Sequence, residues 1–351
     1  MKINKRFVTI FLVIIVLSLI ITFPNISRNG VLQGLIISTK VIIPSLFPFL
    51  VCIFLLIKNQ ISVTNNFINK VLHKLLGQNF DMFFVFVLSM LGGYPVGAAL
   101  INEMYKQKII NSRTADIMLT YCVNAGPAFI VIIVGGAFGS RILGIVLLIS
   151  HIVSSIISAL IFSNQLKKQN VCYKPIKNIK NSFIITLTES VNEACNSIIK
   201  ICCFVILFSV INSYFDYFLN DMPILKYVSL FTEVTSAVTK CKNIYFVSFL
   251  LGFSGISIWC QVLSLCENRK VNIIRFILGR IFHGTISTAI TYLIIKIFKI
   301  KISTFNNNVS FTKNFIISDV TLFISIFIMV IILLISVFSK NKCGKIINDV
   351  L

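Results

Sequence analysis

Three runs of glycine, proline and small polar residues interrupt apolar segments of this chain, at residues 91–103, 124–127 and 251–261. Glycine holds a helix weakly and proline has no amide hydrogen to donate, so each run predicts a helix break. In lipid, a break is tolerated only where the backbone is buried in protein or lines a cavity. The helix N-termini at a break carry free N–H groups and partial positive charge, which suit a carboxylate or a phosphate.

The alternative reading of these runs is that small residues merely allow helices to pack closely. That reading suffices for an isolated glycine, but Gly-Gly-x-Pro, Asn-Ala-Gly-Pro and Gly-x-Ser-Gly occurring together favour a binding site. The candidate substrate-binding residues are Gly92, Gly93, Tyr94, Pro95, Gly97, Asn124, Gly126, Ser254, Gly255, Ser257 and Gln261.

A cation and a histidine lie inside a later apolar segment. Arg280, His283, Ser287 and Thr291 follow spacings of three and four, so they share one helical face. A charge within a membrane is costly, roughly 3 kcal/mol or more, and usually faces a cavity or a partner. Arg280 would pair with an anionic substrate and His283 would add a donor. The alternative is that Arg280 extends to the basic start of its segment, ~15 Å away.

A polar stripe gives a second set of candidates. Its residues also recur at spacings of three and four, and the stripe faces either water, as on an interfacial helix, or a substrate cavity. Glu103, Glu189 and Glu193 are candidate ion-coupling residues, although Glu103 can equally be solvated in a loop. The stripe consists of Thr186, Glu189, Glu193, Asn196 and Lys200.

Enzyme and metal motifs are missing from the sequence. It has no GxSxG, HExxH or phosphate-binding glycine loop, and its three histidines are far apart. Its ten cysteines form no CxxC or Cys/His spacing, which predicts membrane-packed thiols and no disulfide framework. We therefore expect no enzyme activity, no metal and no cofactor.

Composition places the chain in a membrane. It is 57% hydrophobic and only 12% charged, whereas soluble domains are about 25% charged. Several apolar runs exceed 18 residues, which predicts an all-α polytopic membrane protein with about 7–9 transmembrane or re-entrant helices. The net charge of +21 comes from bases in short loops between these runs. This is the positive-inside pattern, and it argues against nucleic acid as a partner.

The predicted organisation is two inverted pseudo-repeats, because Leu91-Gly92 recurs as Leu251-Gly252 at an offset of 160. The basic segment at 103–113 favours a chain that turns back at the first break. An inverted second half would place the basic segment 267–275 outside, so topology after residue 219 stays open. The parts are an N-terminal anchor at 1–30, a first repeat at 31–165, a basic cytoplasmic linker at 166–182, a second repeat at 183–305, and a last helix with a basic tail at 306–351.

Five motifs in this order resemble the YlbJ family of sporulation integral membrane proteins, over residues 42–291. They are Pro44-Ser45-Leu46-Phe47-Pro48-Phe49, Gly93-Tyr94-Pro95-Val96-Gly97-Ala98, Asn124-Ala125-Gly126-Pro127, Ser254-Gly255-Ile256-Ser257 with Gln261, and Leu278-Gly279-Arg280 with His283.

The resemblance implies membership of the nucleoside-recognition (Gate) domain group, related to concentrative nucleoside transporters. It further implies an endospore-forming bacterium and transport of dipicolinic acid across the outer forespore membrane during late sporulation and cortex formation. The expected partners are the lipid bilayer and the dipicolinate anion. Two other functions remain open: a non-transporting scaffold for spore assembly and a nucleoside-type permease.

Overall fold

The computed structural model describes residues 5–58, 80–167, 182–219, 229–235, 238, 241–267 and 269–300. These residues form helices and connecting loops without a strand, which confirms the all-α class. The predicted last helix at 306–351 and most of the linker at 166–182 lie outside the described residues. The helices are α1 (Lys5–Thr22), α2 (Pro24–Ile37), α3 (Ile43–Lys58), α4 (Phe80–Gly92), α5 (Tyr94–Lys106), α6 (Ser112–Leu119), α7 (Arg141–Lys167), α8 (Phe183–Leu219), α9 (Ile244–Phe253), α10 (Gly255–Leu265) and α11 (Ile273–Ile297).

Five helical stretches in the described part are long and apolar enough to cross a membrane, which confirms a polytopic membrane protein. Shorter apolar helices occur at Thr9–Thr22 and Phe80–Gly92. The outward faces of α1, α7 and α11 expose large aliphatic side chains, as contact with lipid requires. The five stretches are Pro24–Lys58, Arg141–Leu166, Phe183–Phe218, Ile244–Leu265 and Ile273–Ile297.

A single long helix joins α2 to α3 through a π-helical turn at Ser38–Ile42. The sequence predicts a kink or local unwinding at Pro44 and Pro48. The helix is not unwound there, and Pro48 lies inside it. Proline at position 44 cannot donate to the carbonyl four residues earlier, and a wider π turn just before it accommodates the missing bond.

The first predicted break lies at Gly93, whose φ of +90° is open to glycine and rare for other residues. Here the chain turns back, so α5 packs along α4. A Cβ added at Gly97 would lie 2.8 Å from the Cβ of Ser89, eight residues earlier, and would collide with the carbonyl oxygen of Cys122. In a straight helix those eight residues would span about 12 Å. The predicted turn-back is therefore confirmed.

The second predicted break opens an unwound stretch in a crossing segment. After α6, residues 120–126 are not helical, and a π-helical turn then runs over Phe129–Val134. Helix α7 returns alongside, because Gly135 contacts Gly144 and the Ala125 amide bonds His151.

The third break separates α9 from α10 at Ser254 and Gly255, which have φ values of +78° and +77°. Helix α11 then runs back along α9. Gly252 packs against Gly284, and the rings of Tyr245 and Tyr292 lie 5.9 Å apart.

These two pairs of segments run in opposite directions. Arg269 pairs with Asp116 near the start of α6, so α6 and α11 begin at the same end of the molecule. We call this the Lys58 end, since Lys58 also lies there, bonded to Glu189. Residues 112–137 run away from the Lys58 end, whereas α9 and α10 run toward it. The basic segments 103–113 and 267–275 consequently share one end, which corrects the expectation that an inverted second half would separate them.

The offset of 160 is not the structural correspondence. Leu91 and Gly92 close a hairpin, whereas Leu251 and Gly252 lie in a crossing segment. The counterpart of the break at Ser254 is the unwound stretch at 120–126.

Helix α8 is continuous over 37 residues. The sequence predicts an amphipathic helix at 183–200 and a separate crossing at 198–219, but no break divides them. At 1.5 Å per residue, α8 is about 55 Å long, against ~30 Å of bilayer hydrocarbon. It packs on α2 where Gly30 and Gly34 approach the backbone of Val210 and Ile206.

Candidate binding site at the helix breaks

The three helix breaks predicted from the sequence meet at the centre of the protein. The hydroxyl of Tyr94, the first residue of α5, donates to the carbonyl oxygen of Leu251 near the end of α9 at 2.8 Å. A Cβ at Gly93 would lie 3.6 Å from the backbone nitrogen of Gly126. The first and third breaks thus share a hydrogen bond, and the first and second are in van der Waals range.

Arg280 is fully buried at this centre. Its guanidinium donates to the carbonyl oxygens of Thr120 and Val123 in the unwound stretch. These carbonyls follow the C-terminus of α6, where backbone acceptors lack helical partners and a cation is favourable. The side chain therefore reaches across to another segment, which contradicts extension toward the basic start of α11.

The charge of Arg280 has no carboxylate partner within 4 Å among the described residues, and its Nε has no hydrogen-bond acceptor there. A buried unpaired charge is expensive, so such groups usually mark a site that receives an opposite charge. The guanidinium thus supports the unwound backbone and retains one free donor.

Asn124 has its side-chain amide fully engaged by the protein. Its nitrogen donates to Ser89 at 3.1 Å and to the Tyr121 carbonyl at 2.8 Å, and its oxygen accepts from Ser155 at 2.9 Å. The bond to Tyr121 gives that carbonyl a donor in place of one that an intact helix would provide. In this conformation Asn124 fixes the shape of the unwound stretch.

Two histidines face each other beside Arg280. The rings of His151 and His283 lie 4.5 Å apart, and both side chains are buried. His283 is among the site residues predicted from the sequence, whereas His151 is not. A signal was present: His151 and Ser155 on α7 recur as His283 and Ser287 on α11, at an offset of 132.

The predicted residues around the third break pack in different directions. A Cβ at Gly255 would meet Val234 at 3.2 Å, so this glycine faces residues 229–235. Ser257 and Gln261 are buried on α10 and bond each other at 3.3 Å. The Ser254 hydroxyl returns to the carbonyl of Gly252 at 3.3 Å.

Two candidate residues at the first break, Gly92 and Pro95, have structural roles. A Cβ at Gly92 would collide with the ring of Phe49, so this glycine permits close packing against α3. Pro95 occupies the first turn of α5, where a missing N–H is harmless.

A separate cavity of about 300 Å³ opens at the Lys58 end. Glu193, Asn196 and Lys200 of the polar stripe line it, so the stripe faces a cavity over this stretch. The side-chain oxygen of Asn102 is buried without a hydrogen-bond partner. The other lining residues are Phe54, Ala99, Glu103, Lys106, Ser197, Leu265 and Glu267.

Ion pairs connect α8 to three neighbours around this cavity. Glu189 pairs with Lys58 at 3.2 Å, Glu193 with Lys106 at 3.1 Å, and Lys200 with Glu267 at 2.6 Å. The hydrogen bond from Lys200 lowers the pKa of Glu267. We call these three pairs the α8 ladder.

Glu103 is buried, which contradicts the reading of a solvated loop carboxylate. It accepts a hydrogen bond from Gln107 at 2.8 Å and lies 3.9 Å from the ammonium of Lys58. The described residues contain no group of three acidic, histidine or cysteine side chains suited to a metal.

Comparison with known proteins gives one informative match. The chain is 23% identical, over an alignment of 349 residues covering 84% of each protein, to the sporulation integral membrane protein YlbJ of Bacillus subtilis. No family model matches the chain, and no solved structure matches it. The chain is therefore an all-α polytopic integral membrane protein with sequence similarity to a sporulation protein of the membrane.

Proposed function

We propose that this protein is a permease for a small organic anion, with the anion bound at the helix breaks beside Arg280. The observation that carries the proposal is the buried guanidinium without a carboxylate partner among the described residues. A cation held in a low-dielectric centre attracts an anion strongly, and the free Nε donor adds direction. The broken segments supply further N–H donors at their N-termini.

The route to this site leads through the cavity at the Lys58 end. Asn102 lines the cavity, and Tyr94 marks the central site eight residues earlier on the same helix. That spacing corresponds to about 12 Å along α5. Transport by alternating access would open the path between cavity and centre, then close it while the opposite side opens. The positive-inside rule assigns the Lys58 end to the cytoplasm.

The substrate we propose is dipicolinate, carried across the outer forespore membrane during sporulation. The similarity to YlbJ supports the sporulation setting. Dipicolinate is an aromatic dianion, so it suits a buried cationic site that holds unpaired polar atoms. The absence of enzyme motifs in the sequence is compatible with a carrier role.

The test is uptake of labelled dipicolinate by vesicles that contain the purified protein. Arg280→Ala should lower the rate at least tenfold, since one lost charge-assisted contact is worth roughly 1.5–3 kcal/mol. Arg280→Lys should recover part of it because the charge returns without the guanidinium geometry. The matched control is Arg275→Ala, on the same helix and less buried. Full activity of Arg280→Ala would overturn the site assignment.

Two results would favour the other functions. Uptake of labelled uridine, without uptake of dipicolinate, would indicate a nucleoside-type permease. Absence of any uptake, with normal dipicolinate in spores of a strain lacking this gene, would indicate a scaffold for spore assembly.

A further inference from the structure

The hydrogen bonds of the two central histidines assign different protonation patterns to their rings. Nε2 of His151 lies 3.0 Å from the amide nitrogen of Ala125, which donates to it. The proton of a neutral His151 ring must therefore sit on Nδ1. Nε2 of His283 lies 3.3 Å from the carbonyl oxygen of His151 and donates to it. The Nδ1 of His283 is consequently a bare acceptor.

Three polar atoms at this centre are buried and lack a hydrogen-bond partner among the described residues: Nδ1 of His151, Nδ1 of His283 and Nε of Arg280. Given these tautomers, Nδ1 of His151 and Nε of Arg280 are donors, and Nδ1 of His283 is an acceptor. A fully buried orphan is costly, and three within one cluster indicate a missing ligand.

We propose that Nδ1 of His283 binds a proton that travels with the anion, so that the protein is a proton–anion symporter. This inference rests on the proposed function. Addition of a proton turns the single acceptor into a third donor, and all three orphans then suit a carboxylate. The added charge on His283, together with that of Arg280, also matches a dianion.

Electrostatics makes the proton and the anion bind together. Burial disfavours a positive charge on either imidazole ring, and the nearby guanidinium of Arg280 disfavours it further. An anion bound beside Arg280 offsets both effects, so it favours the proton, and by linkage the proton favours the anion to the same degree.

The surrounding ionisable groups do not replace this role. Cys122 of the unwound stretch and Tyr94 of α5 face Arg280. Both are ordinarily neutral at pH 7. Glu233, in residues 229–235, acts on Tyr94, and its carboxylate accepts from the amide of Thr235 at 2.9 Å, so it is not among the unpartnered atoms of this centre. On the α9 side, Gly252 packs against the backbone of His283 and Gly284, and glycine does not titrate.

The experiment uses full-length protein in vesicles with the membrane potential held at zero. With the inside alkaline, wild-type protein should accumulate labelled dipicolinate about tenfold per pH unit, as one co-transported proton requires. A trapped pH dye should report proton entry that begins only when dipicolinate is added. His283→Gln should lose accumulation and the dye signal but retain exchange of internal for external dipicolinate at a reduced rate, because its amide can replace a donor but cannot carry the proton. The control is His73→Gln, which changes the third histidine of the chain.

The outcomes separate this inference from the proposed function. Wild-type uptake that is independent of the pH gradient would overturn proton coupling and leave the proposed anion permease intact. Gradient-driven accumulation by His283→Gln would overturn the assignment to His283. Absence of dipicolinate uptake and exchange in the wild type would overturn both. His151→Gln, whose amide oxygen can still accept from Ala125, should retain coupling at a lower rate, and a loss of exchange in this variant would contradict the proposal.

Discussion

At the scale of single residues, the centre of this protein consists of side chains that complete an interrupted backbone. Arg280 bonds the carbonyls of Thr120 and Val123, and His151 accepts from the amide of Ala125. An unwound segment buried in a membrane protein needs such partners, because no water is present to replace them.

Gly97 is a residue on which the hairpin depends. A Cβ there would overlap the carbonyl oxygen of Cys122, which belongs to the unwound stretch and cannot move freely. We expect Gly97→Ala to lower the thermal unfolding temperature in detergent, with a cost of roughly 1–3 kcal/mol from overpacking. The measurement is a melting curve of the purified protein.

The matched control for Gly97 is Gly136→Ala. A Cβ at Gly136 meets nothing within 4 Å. Alanine also favours helix over glycine, so this variant should melt at the wild-type temperature or slightly above. Equal melting of the two variants would contradict the close approach of α5 to the unwound stretch.

The helix breaks could be predicted from the sequence, but the groups that satisfy their backbone could not. Gly93 and Pro95 indicate a break by their own backbone preferences, which depend on no distant residue. The partners of Arg280 are backbone carbonyls, which every residue has, so the sequence does not identify them. His151 and His283 lie 132 positions apart. The shared spacing to a serine links them in the sequence, but the contact between their rings follows from the packing of α7 on α11.

At the scale of elements, α8 holds the ends of the broken helices in place. Its Glu193 bonds Lys106 at the end of α5, and its Lys200 bonds Glu267 just beyond α10. Helix α8 contributes the acidic partner to the first pair and the basic partner to the second, so it carries both positive and negative charge on one face. The sequence predicted a separate crossing after residue 198, whereas α8 is one continuous helix. The continuity was not predicted because the polar residues in its first half are typical of an interfacial helix.

The α8 ladder should control access to the cavity beside it. We expect Glu193→Lys to repel Lys106 and to expose a cysteine placed at Asn102 to a water-soluble thiol reagent. The double change Glu193→Lys with Lys106→Glu restores opposite charges and should return labelling toward the wild-type rate. The measurement is the labelling rate in vesicles, in a background without other cysteines. Equal labelling of the single and double variants would show that the pair does not close the cavity.

Acidification gives a further check on the ladder. The pKa of Glu267 is lowered by its hydrogen bond from Lys200, so the ion pair is fully formed above the ordinary glutamate range. The stabilisation from this pair is lost only as the pH falls through the lowered pKa. The rate of labelling at position 102, divided by that of an exposed control cysteine to correct for the loss of thiolate at low pH, should therefore stay constant between pH 7 and pH 5. An increase over that interval would contradict closure by the Lys200–Glu267 pair.

At the scale of the whole molecule, the two broken crossings and their return helices form an inverted pair. The recurrence of Leu-Gly and the order of the crossings predicted an inverted arrangement, although the basic segment 267–275 counted against it. The match at offset 160 also gave the wrong correspondence between the two halves. A resemblance of two residues, Leu-Gly, is too small to fix a correspondence. The directions of α6 and α11 follow instead from contacts such as that between Asp116 and Arg269.

This arrangement predicts which side each loop faces. Cysteines placed at Lys108 and Lys270 should react with an impermeant reagent from the same side of the membrane, and one at Lys299 should react from the other. The physical reason is that α11 begins beside Asp116 and ends 25 residues later, which is about 37 Å of helix. Intact spheroplasts and inverted vesicles distinguish the sides. Opposite labelling of Lys108→Cys and Lys270→Cys would contradict the fold.

The histidine pair shows what an inverted arrangement within one chain permits. Two identical segments related by a two-fold axis would offer each ring the same backbone partners. In this single chain the partners differ, because the Ala125 amide donates to Nε2 of His151 whereas Nε2 of His283 donates to the His151 carbonyl. The two neutral rings therefore carry their protons on different nitrogens, and the two sides of the site are chemically unlike.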